Sequence, residues 1–148
     1  MLMTLKFLHL AAAIVWLGGM AFLLGALRPV ALATLAPPVR IPLLRAVLGR
    51  FFMAVWVSIA VLLASGAGLL AATGMRNAPL GQHLMLGIGL VMFALFGHIF
   101  FGPYRRLRQA AAAADWPAAG QQMGKMHPFV LANFILGWLA IAAVIFLR

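Results

Sequence analysis

Residues 80–101 read LGQHLMLGIGLVMFALFGHIFF, twenty-two positions with no charged side chain but two histidines, His83 and His98. At 1.5 Å per residue a helix of this length rises about 33 Å. That is enough to cross a hydrocarbon core of roughly 30 Å. No strand-length alternation of a membrane barrel is visible in it. An imidazole inside such a run is costly unless it has a partner. The stretch therefore decides the fold class and also asks what its histidines hold.

Working outward, three more apolar runs of spanning length flank this one. The four spans are expected at about 5–27, 51–75, 80–102 and 126–147. Hydrophobic residues make up 66% of the 148 and charged residues 8%, and the mean hydropathy is +1.12. A soluble domain is about one quarter charged. The expectation is an all-α, integral-membrane four-helix bundle, with residues 1–148 forming one transmembrane domain. The first run is followed by Ala31-Leu32-Ala33, which resembles a signal-peptidase site. Its apolar part exceeds the roughly 7–15 residues of a signal peptide, so it is expected to remain as a span.

The net charge is +10. The basic residues flank the apolar runs instead of forming one surface stripe, which excludes nucleic acid as the partner and fits membrane lipid. Arg28, Arg40, Arg45 and Arg50 fall in the first connection, and Arg105, Arg106, Arg108 and Lys125 in the third. Lys6, Arg76 and Arg148 fall on the opposite side. Eight against three places the first and third connections in the cytoplasm and both termini outside. A multi-pass protein of a bacterial-type inner membrane is expected. Pro29, Pro37, Pro38 and Pro42 should break the chain between the first two spans. Ala110 to Ala114 should prolong span three until Asp115-Trp116-Pro117 ends it, and His127-Pro128 could start span four.

Cysteine is absent and Asp115 is the only acidic residue. Thiolate metal sites, iron–sulfur clusters and carboxylate-based catalysis are excluded. No nucleophile–base pair supports hydrolysis. Four histidines remain. By position along the spans, His9 and His83 share an outer level, and His98 and His127 an inner one. His83 and His98 stand fifteen residues apart, hence ~60° apart in azimuth and ~22 Å along the axis. Gly87, Leu90 and Ala94 lie between them on that face, leaving space for a flat ligand or simply for close helix packing. Bis-histidine ligation of haem b is the leading expectation. His9 with His83 would hold one haem and His98 with His127 a second. Arg28, Arg105 and Lys125 would balance the inner propionates. Such a protein would carry electrons across the membrane or act in quinol-linked redox chemistry, as a possible membrane oxidoreductase. Its partners would be a quinone or a redox protein, and a homodimer is plausible.

The competing expectation is copper. Cu(I) favours thioether and imidazole ligands. Met1 and Met3 lie near the outer end of span one, and Met123 and Met126 beside His127. Methionine is equally a flexible packing residue.

Leu8-His9, Trp16-Leu17-Gly18-Gly19, Phe22 and Arg28-Pro29 resemble the first span of the copper-resistance protein D family. They are also similar to the first span of HemJ-type protoporphyrinogen oxidases. Arg50-Phe51, leading into a run that ends Ser65-Gly66, resembles the second span of the former. Spans three and four match in pattern only. The HemJ resemblance implies His9 as a haem ligand. The chain lacks that family's tyrosine-leucine-proline-arginine stretch and its asparagine-glutamate pair, and Lys125-Met126-His127-Pro128 stands near the last span instead. The copper-resistance resemblance implies copper handling.

Overall fold

The computed structural model describes residues 1–147, so Arg148, counted above among the outer charges, lies outside the described residues. Four helices are long and apolar enough to cross a membrane: α1 (Leu2–Thr34), α2 (Pro37–Thr73), α3 (Leu80–Ala112) and α4 (Trp116–Phe146). Short connections make sequential helices antiparallel neighbours, and α1 packs along α2 and α3 along α4. At one end Leu5 reaches Gly68, and Gly81 meets the carbonyls of Ala143 and Leu147. That end is called outer below, and the end bearing residues 35–36 and 113–115 is called inner. Which faces the cytoplasm rests on the charge argument alone.

Each helix boundary has a local cause. Pro37 and Pro38 occupy the first turn of α2, where a missing N–H costs nothing. Gly74, at φ +80, closes α2 and donates to the Leu70 carbonyl at 2.8 Å. Asp115 caps α4 by accepting the Ala118 N–H at 3.1 Å. Two π-helical turns, Leu23–Leu27 and Phe100–Tyr104, widen α1 and α3. Pro29 follows the first and Pro103 lies in the second, where an ordinary turn would clash with the ring.

The helices overrun the apolar runs at the inner end. α1 continues to Thr34, and α2 begins at Pro37. The prolines thus leave only Leu35 and Ala36 between the helices, and Pro42 lies inside α2. α4 begins at Trp116, so His127 is well inside a helix and does not start one. The reason is amphipathic packing. Ile41, Leu107 and Ala119 are fully buried here, while Arg45, Arg105, Arg106, Arg108 and Lys125 are exposed. A helix continues past the apolar run when one face still finds a core.

The central core is aromatic. The Phe52 ring meets Tyr104 at 4.8 Å and Phe96 at 5.3 Å, edge to face in both cases. Trp16 stacks on Phe93 at 5.8 Å. These contacts tie α1, α2 and α3 together at mid-depth, and Val130 of α4 completes the cluster. Asn133, 1% exposed, donates Nδ2–H to the Met92 carbonyl at 3.2 Å, linking α4 to α3.

Candidate functional site

The inner end holds a partly open cleft of about 120 Å³ between α1, α2 and α4. On α4, Gly120, Met123, Gly124 and His127 face it at i, i+3, i+4 and i+7, one helical face. Nothing lies within 4 Å of a side chain added at Gly120 or Gly124, so these glycines leave the wall open. Met126 and Val130 extend that wall. Arg28 of α1 and Arg40 of α2 supply two cations, and leucines of both helices supply the rest.

The polar atoms here are incompletely paired. Arg40 Nη1 donates to the Leu35 carbonyl at 3.1 Å, which fixes the guanidinium, while its Nε is buried without a partner. His127 Nδ1 is also buried and unpaired. Among the described residues neither cation forms an ion pair, and Asp115, the only acidic side chain in the chain, caps α4. A buried polar atom without a partner costs about 1–3 kcal/mol. Gln122 Oε1 and Asn133 Oδ1 are likewise buried and unpaired outside the cleft, so what sets the cleft apart is its two guanidiniums beside an imidazole.

The other histidines lie elsewhere. His9 Nδ1 is 2.9 Å from Ser65 Oγ on α2. The Ser65 hydroxyl donates to the Val61 carbonyl at 2.6 Å, so its oxygen accepts from His9 Nδ1–H and His9 Nε2 keeps its lone pair. Gly66 gives the imidazole room: a methyl there would stand 3.4 Å from His9 Cε1. His83 is exposed, and its Nδ1–H donates to the Pro79 carbonyl at 3.2 Å, within the first turn of its own helix. His98 is exposed, with its ring 4.9 Å from that of Phe129. Arg105 and Lys125 are exposed and do not line the cleft.

These positions bear directly on the haem expectation. The structure brings together Arg28 and His127, one inner cation and one inner imidazole. It does not bring His98 to face His127. Phe129, which meets His98, is two residues from His127 and therefore ~200° around α4. In the outer level His9 faces α2, while His83 stays on the first turn of α3. The cleft, at about 120 Å³, is smaller than the roughly 300–1,000 Å³ pockets of drug-sized ligands. The residues present do not fit two bis-histidine haems. Among the described residues no three histidines, cysteines or carboxylates gather as a metal site. The thioethers of Met123 and Met126 are the additional soft donors beside His127.

Two residues escaped the sequence reading. Arg40 was counted as a topogenic charge, and its placement between Val39 and Ile41 was its only distinguishing signal. Ser65, the partner of His9, stands in the sequence only as part of the Ser65-Gly66 end of the second-span motif, with no role attached.

A family model described as Copper resistance protein D matches residues 45–147. The matched segment holds α2 from Arg45 onward with α3 and α4, including Met123, Met126 and His127, and leaves out α1 with His9 and Arg28 and the first two turns of α2 with Arg40. No curated protein and no solved structure matches the chain. The match covers 103 of the 148 residues, and the four spanning helices agree with it, so this multi-pass membrane protein belongs to the copper resistance protein D family.

Proposed function

We propose that this chain takes up or passes Cu(I) as cargo in the membrane, with Met123, Met126 and His127 as its ligands at the inner cleft. One observation carries the reading: two thioethers and an imidazole with an unclaimed, buried Nδ1 line the same cleft. Soft thioether and neutral imidazole donors select Cu(I) over hard divalent cations. All three donors are neutral, so nothing in the set over-stabilises the ion, which suits passage better than permanent storage.

The two arginines oppose a cation. A site in the cleft that both arginines line therefore holds Cu(I) weakly unless an anion accompanies it.

Anaerobic Cu(I) titration of the purified protein against a competing chelator tests the proposal. One copper per chain is expected. His127→Ala, Met123→Leu and Met126→Leu should each weaken binding by about tenfold or more, which is about 1.4 kcal/mol. The Met-to-Leu changes conserve volume, so packing is retained. His98→Ala should leave binding unchanged. Equal affinity in all four variants would refute the ligand assignment.

A single-haem reading keeps one specific support, the pairing of Arg28 with His127 in one cleft. It would place an axial imidazole beside a cation for a propionate. It requires the cleft to open well beyond its present volume. A Soret band in the purified protein that disappears in His127→Ala would establish it in place of copper.

A further inference from the structure

We propose that the inner cleft, partly open and about 120 Å³ in volume, takes the phosphate of an anionic phospholipid beside Arg28 and Arg40, while its acyl chains leave through the open side and only their first carbons meet the leucines. The inference goes beyond the copper reading, and the lipid site stands without it.

Four observations converge. Both arginines line the cleft, and among the described residues neither forms an ion pair, Asp115 being the only acidic side chain and engaged at the α4 cap. Arg40, which lines the cleft, is already oriented through its Nη1. A guanidinium held this way is suited to a phosphate oxygen. The walls are apolar: Leu23, Leu24 and Leu32 from α1 face Leu44 and Leu48 from α2. Inorganic phosphate gains nothing from such walls, whereas an amphiphile seated at the open side sets the start of its chains against them. Lastly, the cleft opens at the inner ends of α1 and α2, where the apolar runs give way to basic residues and headgroups lie.

The choice of an anionic lipid over a zwitterionic one follows from charge. A choline headgroup would bring its own cation toward two guanidiniums, whereas a glycerol headgroup would not. A consequence rests on the copper reading. A bound phosphate offsets the two arginine charges facing His127, so lipid should tighten Cu(I) binding at the same cleft.

Native mass spectrometry of the full chain, released from nanodiscs of mixed phosphatidylglycerol and phosphatidylcholine, tests the site without any metal. Wild type should retain phosphatidylglycerol preferentially. The double variant Arg28→Gln/Arg40→Gln should lose about thirtyfold in that preference, at the usual contribution of basic residues near a charged surface. Arg45→Gln/Arg50→Gln, in which both changes are exposed, should keep it. Arg28→Lys/Arg40→Lys, which retains charge and guards against misfolding of the glutamine variant, should fall between. Equal retention of the two lipids by wild type, or equal preference in the Arg28/Arg40 and Arg45/Arg50 glutamine variants, overturns the proposal. So does full competition by millimolar inorganic phosphate, which would make the ligand a free anion. A Soret band with no retained lipid overturns it as well, in favour of haem. Retained lipid in a protein that binds no Cu(I) would remove the copper reading and leave the lipid site standing.

Discussion

Gly81→Ala should separate the outer ends of α3 and α4. In the structure Gly81 N–H donates to the Leu147 carbonyl at 2.8 Å, so helix backbones touch here. An added methyl would stand 2.6 Å from the Leu147 oxygen and 3.0 Å from the Ala143 carbonyl carbon. Those neighbours are backbone and cannot rotate away, so the helices must part. Overpacking costs roughly 1–3 kcal/mol, and loss of the hydrogen bond about 1 more. Helix propensity returns at most about 1 kcal/mol. The net expectation is a loss of about 1–3 kcal/mol. The same helix supplies the control. Gly87, Gly89 and Gly97 have nothing within 4 Å of an added methyl, so alanine there should be neutral or stabilising by roughly 0.5–1 kcal/mol. Equilibrium unfolding in mixed micelles of rising SDS fraction gives the four values side by side. If Gly81→Ala matched Gly87→Ala within experimental scatter, the close approach of α3 and α4 would be wrong.

Two further substitutions probe local features. Asp115→Ala removes the only side-chain cap on α4 and should lower stability by about 1 kcal/mol in the same assay, with Asp115→Asn close to wild type. Ser65→Ala removes the acceptor for His9 Nδ1–H and should free the ring to change tautomer. Nitrogen NMR of labelled histidine should then show a mixed His9 signal in place of a single Nδ1-protonated form, and an unchanged spectrum would contradict the assigned hydrogen bond.

The number of helices was legible because run length alone decides whether a segment can span. Their ends were less so. The inner extensions of α1, α2 and α4 pair basic faces with buried Ile41 and Ala119, and whether such a face finds a core depends on neighbours that sequence does not identify. Proline was misleading for a related reason. Pro37, Pro38 and Pro42 read as loop, yet the first turn accepts Pro37 and Pro38, and the helix continues through Pro42. For the site, position along a span gave each histidine its depth, so His98 and His127 looked like partners. Their azimuths relative to the other helices were not given, and α4 presents Phe129 where His127 was needed. Arg28 could be read from its place closing the first apolar run. Arg40 could not, because only the fold brings it to the cleft that His127 also lines.

X-ray absorption at the copper edge, on protein loaded anaerobically with one equivalent of Cu(I), addresses the central claim most directly. The expected spectrum shows sulfur and imidazole nitrogen in the coordination shell, with the sulfur contribution lost in Met123→Leu/Met126→Leu and the imidazole contribution lost in His127→Ala. A shell of nitrogen and oxygen alone, or one altered by His9→Ala and untouched by His127→Ala, would contradict the inner cleft as the copper site.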